Sequence, residues 1–259
     1  MAGNYIHHTA VIDASARLGD AVTVGPYAYI GAQVELGERC VVEHHASLQG
    51  PLKAGPENHF YQFCSVGERS QDLKYEGEPT YLEIGERNRF REFVTVSRGT
   101  KPGSKTVIGD DNLFLAYAHV AHDCTVGNHT IFSNNGTLAG HVTVGDYAII
   151  SGLSAIHQFC RIGAHAMIGG CTKVVQDVPP FMTADGNPAE VRGLNAVGLK
   201  RRGFSTEETK ALRAAYRRLY DRDLNASQAL EQIEAEVEML DCVRELVRFV
   251  RESERGIIR

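Results

Sequence analysis

Large apolar residues recur at every sixth position along two-thirds of this chain. Ile6, Ile12, Leu18, Val24, Ile30, Leu36, Val42 and Leu48 follow one another without a slip, and the series continues in phase through Phe60, Val66, Ile84, Phe90, Val96, Ile108, Phe114 and Val120 to Ile156, Ile162, Ile168 and Val174. Only Asp72, Glu78 and Pro102 interrupt it. The residue after the apolar one is often Gly, as at Gly19, Gly25, Gly31, Gly37, Gly109, Gly127 and Gly145, and the fourth position after it is often small, as at Ala28, Ala46, Ala148 and Ala166. An amphipathic helix repeats every ~3.6 residues and a half-buried strand every 2, so neither accounts for a period of six.

The period predicts a left-handed parallel β-helix built from hexapeptide repeats: a triangular prism in which each side is a short strand and three sides complete a coil. The apolar residue fills the interior, and Gly together with the small residue is expected to let the backbone turn the corners. The stretches 68–82 and 97–107 interrupt the series without changing its phase, so they are expected to be loops that leave the prism rather than ends of it. The pattern stops after Val174, and Pro179-Pro180 closes it. The expected organisation is a β-helix over residues 1–180 followed by a C-terminal α-helical domain over 181–259. In the latter, Ser205-Thr-Glu-Glu208 has the form of a capping box opening a helix to about Tyr220, and Ala226–Glu236 and Leu240–Ser253 also have helical patterns.

Composition narrows the function. A formal charge of −5 argues against nucleic acid as a partner, since phosphates demand a net basic face. The N-terminus lacks a basic segment followed by an apolar run, and no stretch of about 18 apolar residues occurs, so a cytoplasmic chain with no transmembrane segment is expected. Six cysteines, at 40, 64, 124, 160, 171 and 242, are scattered without CxxC pairing and are expected to be free thiols.

The repeat also works as a coordinate frame. Val120, Leu138 and Ile156 are equivalent positions on successive coils. His122, His141 and His157 follow them by two, three and one residues, so all three project outward along one edge, with His119 beside them. Two chemistries fit such a stack. Three imidazoles on adjoining coils could hold zinc and activate water, as in the γ-class carbonic anhydrases built on this solenoid. Alternatively, one imidazole could take a proton from a hydroxyl, with Asp123 orienting His122.

Several tracts are more specific than the hexad: Ala118-His-Val-Ala-His-Asp-Cys-Thr-Val-Gly127, Asn134-Asn135, Leu138-Ala-Gly-His141, His157-Gln-Phe159, Gln71-Asp-Leu-Lys-Tyr75, Gly77-Glu-Pro79 and Gly198-Leu-Lys-Arg-Arg-Gly-Phe204. Over nearly the whole chain they resemble the bacterial UDP-N-acetylglucosamine O-acyltransferases, which begin lipid A synthesis. The resemblance implies transfer of an (R)-3-hydroxyacyl group from acyl carrier protein to the glucosamine 3-hydroxyl of UDP-N-acetylglucosamine. In that scheme His122 is the general base, Asp123 supports it and the Gly140 N–H faces the oxyanion. Gln71, Asp72 and Lys74 on the extruded loop would contact the sugar nucleotide, and His119, His141, His157 and Gln158 would line the cleft. Asn195, Arg201 and Arg202 would lie near the diphosphate, where paired guanidinium groups suit fixed phosphate geometry.

The resemblance further implies that Gly170 leaves the end of an acyl groove open, favouring a longer chain. No cofactor or metal is implied, because the phosphopantetheine thioester is itself a substrate. A homotrimer with sites between subunits is implied as well, with Asp72 and Lys74 contributed by the same chain as His122 or by its neighbour. Lys210, Arg213, Arg217 and Arg218 would offer an acidic carrier protein a complementary face. The departure of Gly186-Asn-Pro188, with Pro where some relatives carry His, puts one nucleotide contact in doubt. Two rivals on the same fold are the zinc-dependent carbonic anhydrase and the N-acyltransferase of the same pathway. The latter usually carries a separate N-terminal uridine-binding domain, for which hexads beginning at Ile6 leave no room.

Overall fold

A computed structural model describes residues 3–259. Three parallel sheets form the sides of a left-handed prism. Sheet A starts at Tyr5–Ile6, sheet B at Val11–Ile12 and sheet C at Arg17–Leu18, and each chain pass contributes one strand, mostly of two residues, to each in turn. The register steps by whole coils: Thr95, His119, Thr137 and Ala155 are successive partners in sheet B, one residue before the inward-facing Val96, Val120, Leu138 and Ile156. Strands this short have no stability alone, and it is the stacking of coils that closes the backbone ladders and buries the apolar position.

The corners differ from the expectation. The glycine after each core residue does not make the turn. It is needed because a Cβ there would strike the next coil: one on Gly25 would lie 2.8 Å from the His44 nitrogen, and one on Gly19 would lie 2.7 Å from the Glu38 nitrogen. The turn itself is made two residues later by a non-glycine residue in the left-handed region, with φ between 56° and 69° at 21 positions from Ala21 to Phe181. None of these is β-branched, in keeping with the steric cost of that conformation. The small residue that follows, such as Ala28 or Ala148, is fully buried inside the corner.

The interior is layered. Phe60, Phe90, Phe114 and Phe132 form an offset stack with centroids 4.8 to 5.2 Å apart. Beside it Asn58, Asn88 and Asn112 are buried in the small-residue position, and their amides bond one another and the carbonyls of Gly55, Gly85, Gly109 and Gly127. Buried amides are tolerated only when so satisfied.

Two loops leave the prism where the hexad is interrupted. The first runs between the strands Ser65–Glu68 and Tyr81–Ile84, the second between Thr95–Ser97 and Lys105–Ile108. Past Val174 the chain is not yet helical: Met182–Asp185 adds a further parallel strand to sheet A and pairs antiparallel with Glu190–Leu194. Helices α1 (Ala196–Arg201), α2 (Thr206–Leu219), α3 (Ala226–Glu236) and α4 (Asp241–Arg251) then pack on Phe181 and Met182 as a second core. The Ser205–Glu208 capping box is formed as its spacing predicts. The C-terminal tail returns to the prism, where Asp177 accepts from the Ser253 hydroxyl at 2.7 Å. No helix among the described residues is long and apolar enough to cross a membrane.

Candidate active site

His122 and Asp123 follow the sheet B strand His119–Val120 at the edge between sheets B and C. Asp123 is the left-handed corner residue, φ 58°, and this turn folds its carboxylate back beside the preceding ring: Oδ2 lies 2.8 Å from His122 Nδ1. On the next coil His141 is the corner residue, its ring edge-to-face with His122 at 5.2 Å. One coil further Phe159 stacks on His141 at 4.7 Å. Gly140 holds the register position of His122, and the imidazole lies over it. A Cβ there would come 2.5 Å from Nε2, so only glycine admits the ring in this place. Among the described residues the Gly140 N–H reaches no backbone acceptor.

The extruded loop brings Asp72 to the other side of the same ring, with Oδ2 3.8 Å from His122 Nε2. Asp72 and His122 therefore meet within one chain. Asp72 also accepts from the Lys74 amide at 2.9 Å, which shapes the loop tip, while the Lys74 and Gln71 side chains are exposed. His119 lies on the strand before His122, half-buried, its Nδ1 2.7 Å from Thr95 Oγ1.

Electrostatics follow from burial. Asp123 is 8% exposed in its side chain. Burial opposes its ionisation, but hydrogen bonds with Ser104 and His122 and the charges of His141 and His122 outweigh that cost and hold the carboxyl below its ordinary range. His119 is pushed down by burial and then by the neighbouring charge of His122. His141 is lowered chiefly by burial, against the opposing pull of Asp123. Cys124, the next residue in the chain, is buried and donates to the Ala139 carbonyl, and burial pushes its thiol up to about 12. It stays protonated at neutral pH and does not serve as an acyl-accepting nucleophile.

Donor atoms of His122, Asp123 and His141 lie within 4.8 Å of one another, a set that could hold a metal ion. Asp123, the one carboxylate in the set, already accepts from His122 Nδ1 and from the Thr100 amide, bonds of the kind that a ligating carboxylate also keeps.

Not every residue expected at the site gathers there. His157 and Gln158 are exposed one coil on, and His157 Nδ1 lies 3.1 Å from the Gln158 carbonyl. Asn195 is buried and caps α1: its side chain accepts from Gly198 N and donates to the His165 carbonyl. Arg202 lies over Tyr147, 4.4 Å from the ring centroid, on the edge between sheets C and A, a whole prism side away from His122. Arg201 ends α1, exposed, beside it. Gly170 is on the third edge, between sheets A and B, and a Cβ there would meet only the Gly152 carbonyl, at 3.5 Å. A groove of about 840 Å³ beneath the loop, bounded by Tyr75, Pro79, Arg98 and Leu52, contains none of the clustered histidines. Sequence reasoning missed Ser70, Thr100 and Ser104 of the loops and Thr106 of the strand that follows, hydroxyl residues that surround the two aspartates; Ser70 and Thr106 accept from their backbone amides. Such residues are common in loops, and nothing in their spacing set them apart.

A prism of hexapeptide coils with an outward histidine flanked by carboxylates, capped by helices, defines a hexapeptide-repeat transferase, and the bacterial transferase hexapeptide profile matches residues 15–50 and 105–140. The profile of the second domain of UDP N-acetylglucosamine O-acyltransferase matches residues 177–258. An acyl-[acyl-carrier-protein]–UDP-N-acetylglucosamine O-acyltransferase of Saccharophagus degradans is 51% identical over 98% of this chain and 99% of its own length. The solved UDP-N-acetylglucosamine acyltransferase of Bacteroides fragilis superposes with a TM-score of 0.95 at 40% identity, covering 98% of this chain and all of that one. That of Acinetobacter baumannii also gives 0.95, at 43% identity over 98% and 99%. The chain belongs to the UDP-N-acetylglucosamine O-acyltransferase family.

Proposed function

We propose that this chain transfers an (R)-3-hydroxyacyl group from acyl carrier protein to the glucosamine 3-hydroxyl of UDP-N-acetylglucosamine, the first step of lipid A synthesis, as a cytoplasmic homotrimer. The observation that carries the mechanism is the pairing of His122 Nδ1 with Asp123 at 2.8 Å. A carboxylate on Nδ1 fixes the proton there and leaves the Nε2 lone pair free. Nε2 takes the proton of the sugar hydroxyl as its oxygen attacks the thioester carbonyl. The Gly140 N–H supports the negative oxygen of the tetrahedral intermediate. Collapse expels the phosphopantetheine thiolate, and the imidazolium returns the proton to it. Asp123 remains ionised throughout and stabilises the transient cation.

Gln71, Asp72 and Lys74 hold the sugar nucleotide from the loop, with His119, His141, His157 and Gln158 along the cleft. Asn195 acts by fixing α1, so that Arg201 and Arg202 address the diphosphate. The position of Arg202 on another edge supports an assembly in which a neighbour completes each site. The open surroundings of Gly170 support a groove for a long acyl chain.

Replacing His122 by Ala is expected to lower kcat by roughly 10²–10⁴-fold in an assay with acyl carrier protein thioester and UDP-N-acetylglucosamine, while a metal chelator leaves the wild-type rate unchanged. Near wild-type turnover by His122→Ala overturns the mechanism, and loss of activity to the chelator with recovery on adding zinc favours a metal enzyme.

A further inference from the structure

Resting on the reading of His122 as proton acceptor, we infer that Ser70 and Thr100 are positioning residues: a hydroxyl pair that clasps the two extruded loops together and so sets a carboxylate on each side of the imidazole. Ser70 belongs to the first loop and Thr100 to the second, and both are 6% exposed. Their hydroxyl oxygens are 2.6 Å apart. From this contact the bonding runs both ways. In the first loop the Asp72 amide donates to Ser70 Oγ at 3.1 Å, and the Asp72 carboxylate faces His122 Nε2. In the second loop the Thr100 amide donates to Asp123 Oδ2 at 3.1 Å, and Asp123 holds His122 Nδ1. The hydrogen-bonded path runs from Asp72 through Ser70, Thr100 and Asp123 to His122, and the 3.8 Å approach of Asp72 to Nε2 brings its two ends together.

The loops are otherwise joined by backbone bonds, from the Arg98 amide to the Glu68 carbonyl at 2.8 Å and from the Gly103 amide to the Pro79 carbonyl at 2.9 Å. The Ser70–Thr100 contact is the link nearest the ring. Neither hydroxyl approaches the reacting atoms, so the pair acts only through the two aspartates. Without it the Asp72 turn and the Thr100 amide move independently, and the imidazole loses its fixed heading between the substrate hydroxyl and Asp123. Misplacement by about 1 Å is enough to cost up to ~10²-fold in rate.

Ser70→Ala and the near-isosteric Thr100→Val test this in the full-length protein, with Thr100→Ser restoring the hydroxyl. Each of the first two is expected to lower kcat about tenfold or more, with a smaller change in KM for UDP-N-acetylglucosamine, and Thr100→Ser is expected to retain most of the wild-type kcat. Both single changes break one contact, so the double variant is expected to be no slower than the worse single. A change in thermal midpoint with kcat intact would make the pair a fastener of the loops and nothing more, overturning the inference. So would a double variant whose loss is the product of the two single losses, or a Thr100→Ser as slow as Thr100→Val. His122→Ala assayed alongside separates the two levels: if it is inactive while Ser70→Ala is unimpaired, the clasp fails and the proton-acceptor reading stands.

Discussion

The chemistry proposed for His122 depends on two neighbours that act through backbone geometry. Asp123 reaches Nδ1 because it is a corner residue with φ 58°, and Gly140 leaves room for the ring because it has no Cβ. Gly140→Ala isolates the second effect. Its Cβ would lie 2.5 Å from Nε2 while otherwise facing the cleft, so the imidazole and not the coil must yield. The expected outcome is a fall in kcat of about 10²-fold with the thermal midpoint nearly unchanged, checked by steady-state kinetics beside a melting curve. A variant as active as the wild type would show that the imidazole can work from another position. The histidines were legible from sequence because outward position follows from arithmetic on the hexad. The pairing with Asp123 was legible as adjacency only, since adjacent residues on a strand point to opposite faces and it takes the left-handed corner to bring them together.

At the scale of elements the hexad disclosed what is repeated and concealed what is not. Every apolar hexad position it marked from Val24 to Val174 is buried, but a second core position four residues further on, filled by Val34, Leu52 and Val94 among others, was read only as small. It said nothing of φ, and so the turn was credited to glycine when residues such as Tyr117, Asp123 and Phe159 make it. The hairpin from Met182 to Leu194 and the six-residue α1 are too short to carry a period of their own, and both take their shape from the end of sheet A. The Ser70–Thr100 meeting was likewise invisible, because it joins two insertions that the hexad only marks as gaps.

Where the helical cap joins the prism, His165 stacks between Tyr147 and Phe181 and meets Phe204 edge-on. Burial lowers its pKa, the Arg202 charge lowers it further, and Asp146 opposes both. The unfolded chain, titrating near the ordinary imidazole value of 6.5, therefore binds a proton that the folded one refuses. Stability should be full above 6.5, fall as pH drops through it, and level off below the folded value. His119 and His141 add to the same trend. Thermal midpoints across this range should fall less steeply for His165→Gln than for the wild type. Equal slopes would exclude His165 as a contributor.

At the scale of the whole molecule, three kinds of surface lie on three edges of one prism. His122, Asp72 and Asp123 occupy the edge between sheets B and C, Arg202 the edge between C and A, and Gly170 the edge between A and B. A prism presents these outward in three directions, so in the proposed trimer the chain would be a set of part-sites whose union depends on how prisms meet. This has a genetic consequence. Two chains disabled on different edges, His122→Ala and Arg202→Ala, should complement one another when unfolded together and reassembled, since a subunit intact at His122 can lie against one intact at Arg202. For random cyclic trimers from an equal mixture, about a quarter of the interfaces join two intact halves, so activity should return to roughly a quarter of wild type from two nearly inactive parents. A mixture no more active than its parents would place both groups of a site on a single chain.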